Sequence, residues 1–109
     1  MRPDLHEIFQ NTYRELRPRA PIPEFRIEFY PFANVNNTIR LRDSKMHVRI
    51  SDLLEGAPDS VIEAVAHILL AKVYRQPIEA AHASRFRRYV ASKDIRAKTH
   101  LVRSRFVIG

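Results

Sequence analysis

The sequence predicts an α+β domain in which one buried helix packs on a small sheet. A run of apolar residues from Val61 to Tyr74 covers most of a helical cylinder, so this helix is expected at the centre of the domain. Ahead of it, apolar and polar residues alternate with the period of two that half-buried strands show. A length of 109 residues is usual for one domain, and we expect residues 1–109 to form a single one.

The first predicted element is a helix over residues 4–17. Asp4 and Glu7 have the spacing of a capping box, and the apolar residues that follow recur at helical spacing. Pro18, the first of three closely spaced prolines, ends the helix because proline cannot continue its hydrogen-bond ladder.

Three strands are predicted next. Apolar and polar residues alternate over residues 25–30, 39–42 and 46–50. Asp43 and Ser44 supply turn residues between the last two runs, which indicates a hairpin. We therefore expect a three-stranded, mainly antiparallel sheet.

The second half of the chain is predicted to be helical. The apolar run gives a buried helix over residues 58–75, which starts at Pro58. A further helix over residues 78–90 and a last one around 93–104 are predicted to be basic, so the chain ends in one or two basic helices.

Charge is unevenly distributed along the sequence. The net charge is +7, and the first 79 residues hold as many acidic as basic side chains, so the whole excess lies in residues 80–109. A basic surface attracts phosphates or acidic partners, so nucleic acid and an acidic protein are the candidate partners, whereas a solvated helix face is the alternative interpretation. The candidate nucleic-acid-binding residues are Arg85, Arg88, Arg96, Lys98, Arg103 and Arg105.

Composition narrows the chemistry. The chain has no cysteine, so disulfides, thiol nucleophiles and cysteine zinc sites are excluded. No window is long and apolar enough for a membrane span, and Asp4 and Glu7 stand where a signal peptide would need basic and apolar residues. We expect a cytoplasmic protein without a membrane partner; the sequence does not indicate an oligomeric state.

Histidines are the remaining candidates for a chemical site. A zincin grips zinc with two histidines one helical turn apart and uses the glutamate that follows the first as general base. In the window from Glu63 to His67 the second histidine is present, the first is replaced by Glu63, and Ala64 occupies the position of the base. His82 is spaced to supply a third ligand from the next helix. A buried histidine hydrogen-bonded to a neighbour is the alternative interpretation of His67.

The order of elements resembles that of SprT-like proteins and of the very small gluzincin-type peptidases. The likeness rests on Asn37 to Leu41 before the buried helix, on Val61 to Leu70 within it, and on the segment His82 to Phe86. The resemblance implies a zincin-like fold with an ancestral zinc site at Glu63, His67 and His82. It also mildly favours nucleic acid as a partner, because relatives include proteases that act on DNA-bound proteins.

We therefore expect a degenerate, catalytically inactive metallopeptidase-like domain with a binding or scaffolding role. No catalytic residue is assigned, because a bound water has no proton acceptor at Ala64. The alternatives are nucleic-acid binding through the basic C-terminal helices, a residual zinc site with weak hydrolase activity, and docking of another protein on a sheet edge. No cofactor is expected, and zinc is the one that the residues leave open.

Overall fold

The computed structural model describes residues 4–32 and 36–92, and they form three helices and one three-stranded sheet. The α+β class is thus confirmed. None of the described helices has the length and hydrophobicity that a membrane span requires. The basic helix predicted around residues 93–104 lies outside the described residues. In chain order the elements are α1 (Leu5–Leu16), β1 (Glu24–Tyr30), β2 (Thr38–Arg42), β3 (Lys45–Ser51), a short 3-10 turn (Asp52–Leu54), α2 (Asp59–Val73) and α3 (Ala80–Val90).

Helix α1 begins where the capping pattern predicts. The Asp4 carboxylate accepts a hydrogen bond from the Glu7 backbone N–H at 2.8 Å, which satisfies one of the free donors of the first turn. Phe9 and Tyr13 are buried on the inner side of the helix and contact Phe25 of β1 edge to face or at a tilt. These aromatic contacts hold α1 against the edge of the sheet.

The sheet is mixed, so the expectation of a mainly antiparallel sheet is wrong. Strand β3 lies in the centre; β1 pairs with it in parallel over seven residues and β2 pairs with it antiparallel over five. Alternation fixes which face of a strand is buried but not which strand becomes its neighbour. The central position suits β3, because Met46, Val48 and Ile50 on its inner face are almost fully buried.

The predicted hairpin between β2 and β3 is confirmed. Its two turn residues, Asp43 and Ser44, have φ values of 53° and 61°. Positive φ at both central residues is the geometry that matches the twist of the flanking strands in a two-residue hairpin.

Helix α2 is the centre of the domain, as predicted. Nine of its fifteen residues are buried, including Ala64 and Leu70, which are fully enclosed. The helix ends in a Schellman motif, in which Gln76 N–H donates to Ala71 C=O and Arg75 N–H to Lys72 C=O. Helix α3 packs on α2, so α2 lies between α3 and the rest of the core.

Candidate functional site

Helix α2 places His67 in the interior of the domain, facing the start of α3. His67 is only 3% exposed, and its ring stacks on that of His82 with 4.5 Å between ring centroids and 26° between ring planes. The structure therefore brings together two of the three residues that the sequence singled out.

His67 also connects two helices through a hydrogen bond. The backbone N–H of Glu79, the residue that caps the N-terminus of α3, donates to His67 Nε2 at 2.9 Å. Because Nε2 accepts, the proton of the neutral ring is carried by Nδ1. The Glu79 carboxylate lies 3.6 Å from His82 Nε2, so both histidines meet the same residue at the junction between the helices.

The environment of His67 favours its neutral form. Burial is the main cause that lowers the pKa of His67 below its ordinary value, and the neighbouring His82 lowers it further. The carboxylates of Glu79 and Glu15 act in the opposite direction and do not reverse the shift. A neutral His67 is what the hydrogen bond from Glu79 requires, since a protonated Nε2 cannot accept.

Glu63 stands apart from the histidine pair. It is exposed one helical turn before His67, and its side chain makes no hydrogen bond or ion pair with any other residue that the structure describes. Over residues 4–32 and 36–92, no three histidine or carboxylate side chains are placed to hold one metal ion. In this arrangement Glu63, His67 and His82 do not fit zinc as a set, and the zinc site that the resemblance implies stays untested.

Ala64 occupies the position at which the resemblance to zincins predicts a general base. Its side chain is fully buried in the core, so this side of α2 packs against protein. His82 Nδ1 is also buried, and it has no hydrogen-bond partner within the described part of the chain. His67 and His82 thus connect α2 to α3, and position 64 provides no carboxylate that could act as a general base.

A second candidate site lies on the sheet and was missed by the sequence reasoning. The polar positions of all three strands share the side of the sheet opposite α2, which we call the open face. An open groove of about 1060 Å³ runs over it. The open face consists of Glu24, Arg26, Glu28, Tyr30, Thr38, Arg40, Arg42, Lys45, His47 and Arg49.

The open face is strongly basic. It carries five arginine or lysine side chains against two glutamates, although the first 79 residues are balanced in charge. The register concentrates these charges, because His47 of the central strand has Arg26 on one side and Arg40 on the other. A signal was present in the sequence: of the positions that β2 and β3 contribute to the open face, all except Thr38 are arginine, lysine or histidine.

Only part of this charge is neutralised within the protein. Glu24 pairs with Arg26 at 3.0 Å, and Glu28 pairs with Arg49 at 2.9 Å. Arg40 and Arg42 of β2 make no ion pair with a carboxylate of the described residues. These two guanidinium groups are therefore available to an external anion.

The predicted C-terminal interface is only partly described. Arg85 is half-buried and Arg88 is exposed on α3. Arg96, Lys98, Arg103 and Arg105 lie outside the described residues. Because α3 packs on α2 and the open face lies on the far side of the sheet, the described arginines of α3 and the open face belong to separate surfaces.

Comparison of the chain with protein-family models, with curated proteins and with solved structures gives no match.

Proposed function

We propose that this chain is a catalytically inactive, SprT-like domain that binds the phosphate backbone of nucleic acid through the open face of its sheet. The observation that carries the proposal is the segregation of charge: five cationic side chains and two carboxylates share one face of three short strands. A groove with an excess of positive charge concentrates polyanions and speeds their association.

The inactive part of the proposal rests on the central helix. The element order and the buried α2 are those that the resemblance implies. Ala64 offers no proton acceptor, and His67 Nε2 is engaged by the Glu79 N–H. A helix in this state supports the fold and offers no catalytic group, so the proposed binding role is assigned to the sheet.

The donors of the open face suit the oxygens of a phosphate. Arginine offers a planar fork of N–H donors that fits a phosphate in two parallel hydrogen bonds, and four of the five cations on the open face are arginines. Contacts of this kind are independent of base sequence and weaken as salt rises.

The test is a salt titration of duplex DNA binding by fluorescence anisotropy. We expect binding at low salt that weakens linearly on a log-log plot, and substitution of Arg40 and Arg42 by glutamine should reduce the slope by about 1.8, since each neutralised phosphate of a duplex contributes about 0.9. The matched control carries Arg85→Gln and Arg88→Gln, which removes the same charge from α3.

Each outcome decides between surfaces. An equal loss in both double variants would mean that net charge alone attracts the DNA. A larger loss in the α3 variant would move the interface to the C-terminal helices. If the native protein does not bind at low salt, the proposed function is wrong.

A further inference from the structure

One end of the open face carries two aromatic rings, tilted by 51° to each other, and a guanidinium group. The Arg49 guanidinium lies over the ring of Tyr30, with 4.5 Å to the ring centroid, and the rings of Tyr30 and Phe32 are 4.8 Å apart. Arg49 and Phe32 both line the groove, and Tyr30 is 37% exposed. A large aromatic ring that is partly exposed to solvent and lies next to a cation is placed to stack on a ligand.

The backbone fixes this arrangement. The Phe32 N–H donates to the Tyr30 C=O at 2.8 Å, which closes a three-residue turn centred on Pro31. The fixed φ of proline suits this turn, and the turn places Phe32 next to Tyr30. Arg49 Nε donates a hydrogen bond to the Glu28 carboxylate at 2.9 Å, which helps to keep the guanidinium group over the tyrosine ring. Tyr30, Phe32 and Arg49 thus form one platform, and Glu28 supports it through Arg49.

Phosphate contacts and stacking surfaces are combined in one groove. Arg40 and Arg42 lie on β2, and the platform lies toward the opposite end of β1 and beyond it. Proteins that bind single strands unite these two features: a basic groove follows the backbone while unstacked bases lie on aromatic rings or guanidinium planes. The bases of a duplex are already stacked on one another and cannot use such a platform.

We propose that the nucleic acid bound by the open face is single-stranded, and that a base stacks on the platform formed by Tyr30, Phe32 and Arg49. This inference rests on the proposed function, because it assigns the form of the polyanion that the same face binds. It adds a readout that phosphate attraction alone does not give, namely dependence on the presence of bases.

The experiment compares two labelled strands of equal length: an oligodeoxythymidine and an abasic strand with the same number of phosphates. We expect the full-length protein to bind the strand with bases about tenfold more tightly, since stacking of one base contributes about 1–3 kcal/mol. Phe32→Leu, which keeps an apolar side chain, and Arg49→Lys, which keeps the charge, should each remove most of this margin.

Arg42→Lys is the matched control, because it makes the same substitution at the other end of the open face. It should leave the margin between the two strands intact. Thermal melts followed by circular dichroism establish that each variant is folded, and the Arg49→Lys variant keeps the experiment decisive if Phe32→Leu is unstable.

The outcomes separate this inference from the proposed function. Equal binding of both strands by the native protein would overturn the stacking site and leave phosphate binding in place. Loss of the margin in Arg42→Lys as well as in Arg49→Lys would also overturn it, because the effect would then not be local. No binding of either strand at low salt would overturn both proposals.

Discussion

Replacing His67 by leucine should destabilise the protein, because the side chain joins α2 to α3. Leucine fills a similar volume but leaves the Glu79 N–H without its acceptor and removes the stacking on His82. An unmade hydrogen bond costs about 1–3 kcal/mol when its donor is buried. The junction is only partly buried, so the lower part of this range applies.

We therefore expect His67→Leu to lower the free energy of unfolding by about 1–2 kcal/mol, which corresponds to a Tm lower by roughly 5–15 °C in a domain of this size. His67→Gln is the informative partner, because its amide oxygen can take the place of Nε2 as acceptor and does not titrate. This variant should recover much of the loss.

The assay is urea unfolding followed by circular dichroism at about pH 8, with a chelator present so that no metal contributes. The exposed His47, replaced by the same two residues, serves as control and should change stability by less than about 0.5 kcal/mol. A His67→Leu variant as stable as the native protein would refute the connecting role. If leucine and glutamine destabilise equally, the acceptor is not what matters.

Three further predictions follow from the same structure. Folding lowers the pKa of His67, so the unfolded state binds more protons and the free energy of unfolding should fall as the pH drops below about 6.5. His67→Gln should flatten this pH dependence, and an unchanged pH profile in that variant would contradict the prediction. Added zinc should not raise the Tm. If a zinc site existed, zinc at 100 times its Kd would add about 2.7 kcal/mol to the free energy of unfolding, and a rise in Tm that His82→Ala abolishes would establish the metal site. Arg75 has a φ of 52° at the end of α2, so Arg75→Gly should stabilise by about 0.5–1 kcal/mol in thermal melts, and a lower Tm would show that the arginine side chain contributes more than the strain.

Local pattern determined most of the elements. The capping residues predicted the start of α1, the turn pair Asp43 and Ser44 predicted the hairpin, and the apolar run predicted the central helix. Each of these signals acts over one or two turns of chain, so it can be read without knowing the partner of the element.

The sites depended on contacts that no local pattern encodes. The spacing allowed Glu63, His67 and His82 to meet, and the structure stacks His67 on His82. The spacing could not show that the Glu79 N–H would donate to His67 Nε2 or that Glu63 would stay exposed. The one-dimensional charge count pointed to residues 80–109 and hid the basic face, because acidic residues elsewhere in the first 79 residues cancelled it.

The sequence by itself determined where the helices and strands lie and which side of each is apolar, because periodicity and capping are properties of neighbouring residues. Only the tertiary structure decided the order of the strands, and with it the arrangement of Arg26, His47 and Arg40 in one row. Strand pairing joins residues that are distant in the chain, and its energy comes from the packing of a whole face. Basic residues of different strands therefore form one charged surface only when the strands are in register.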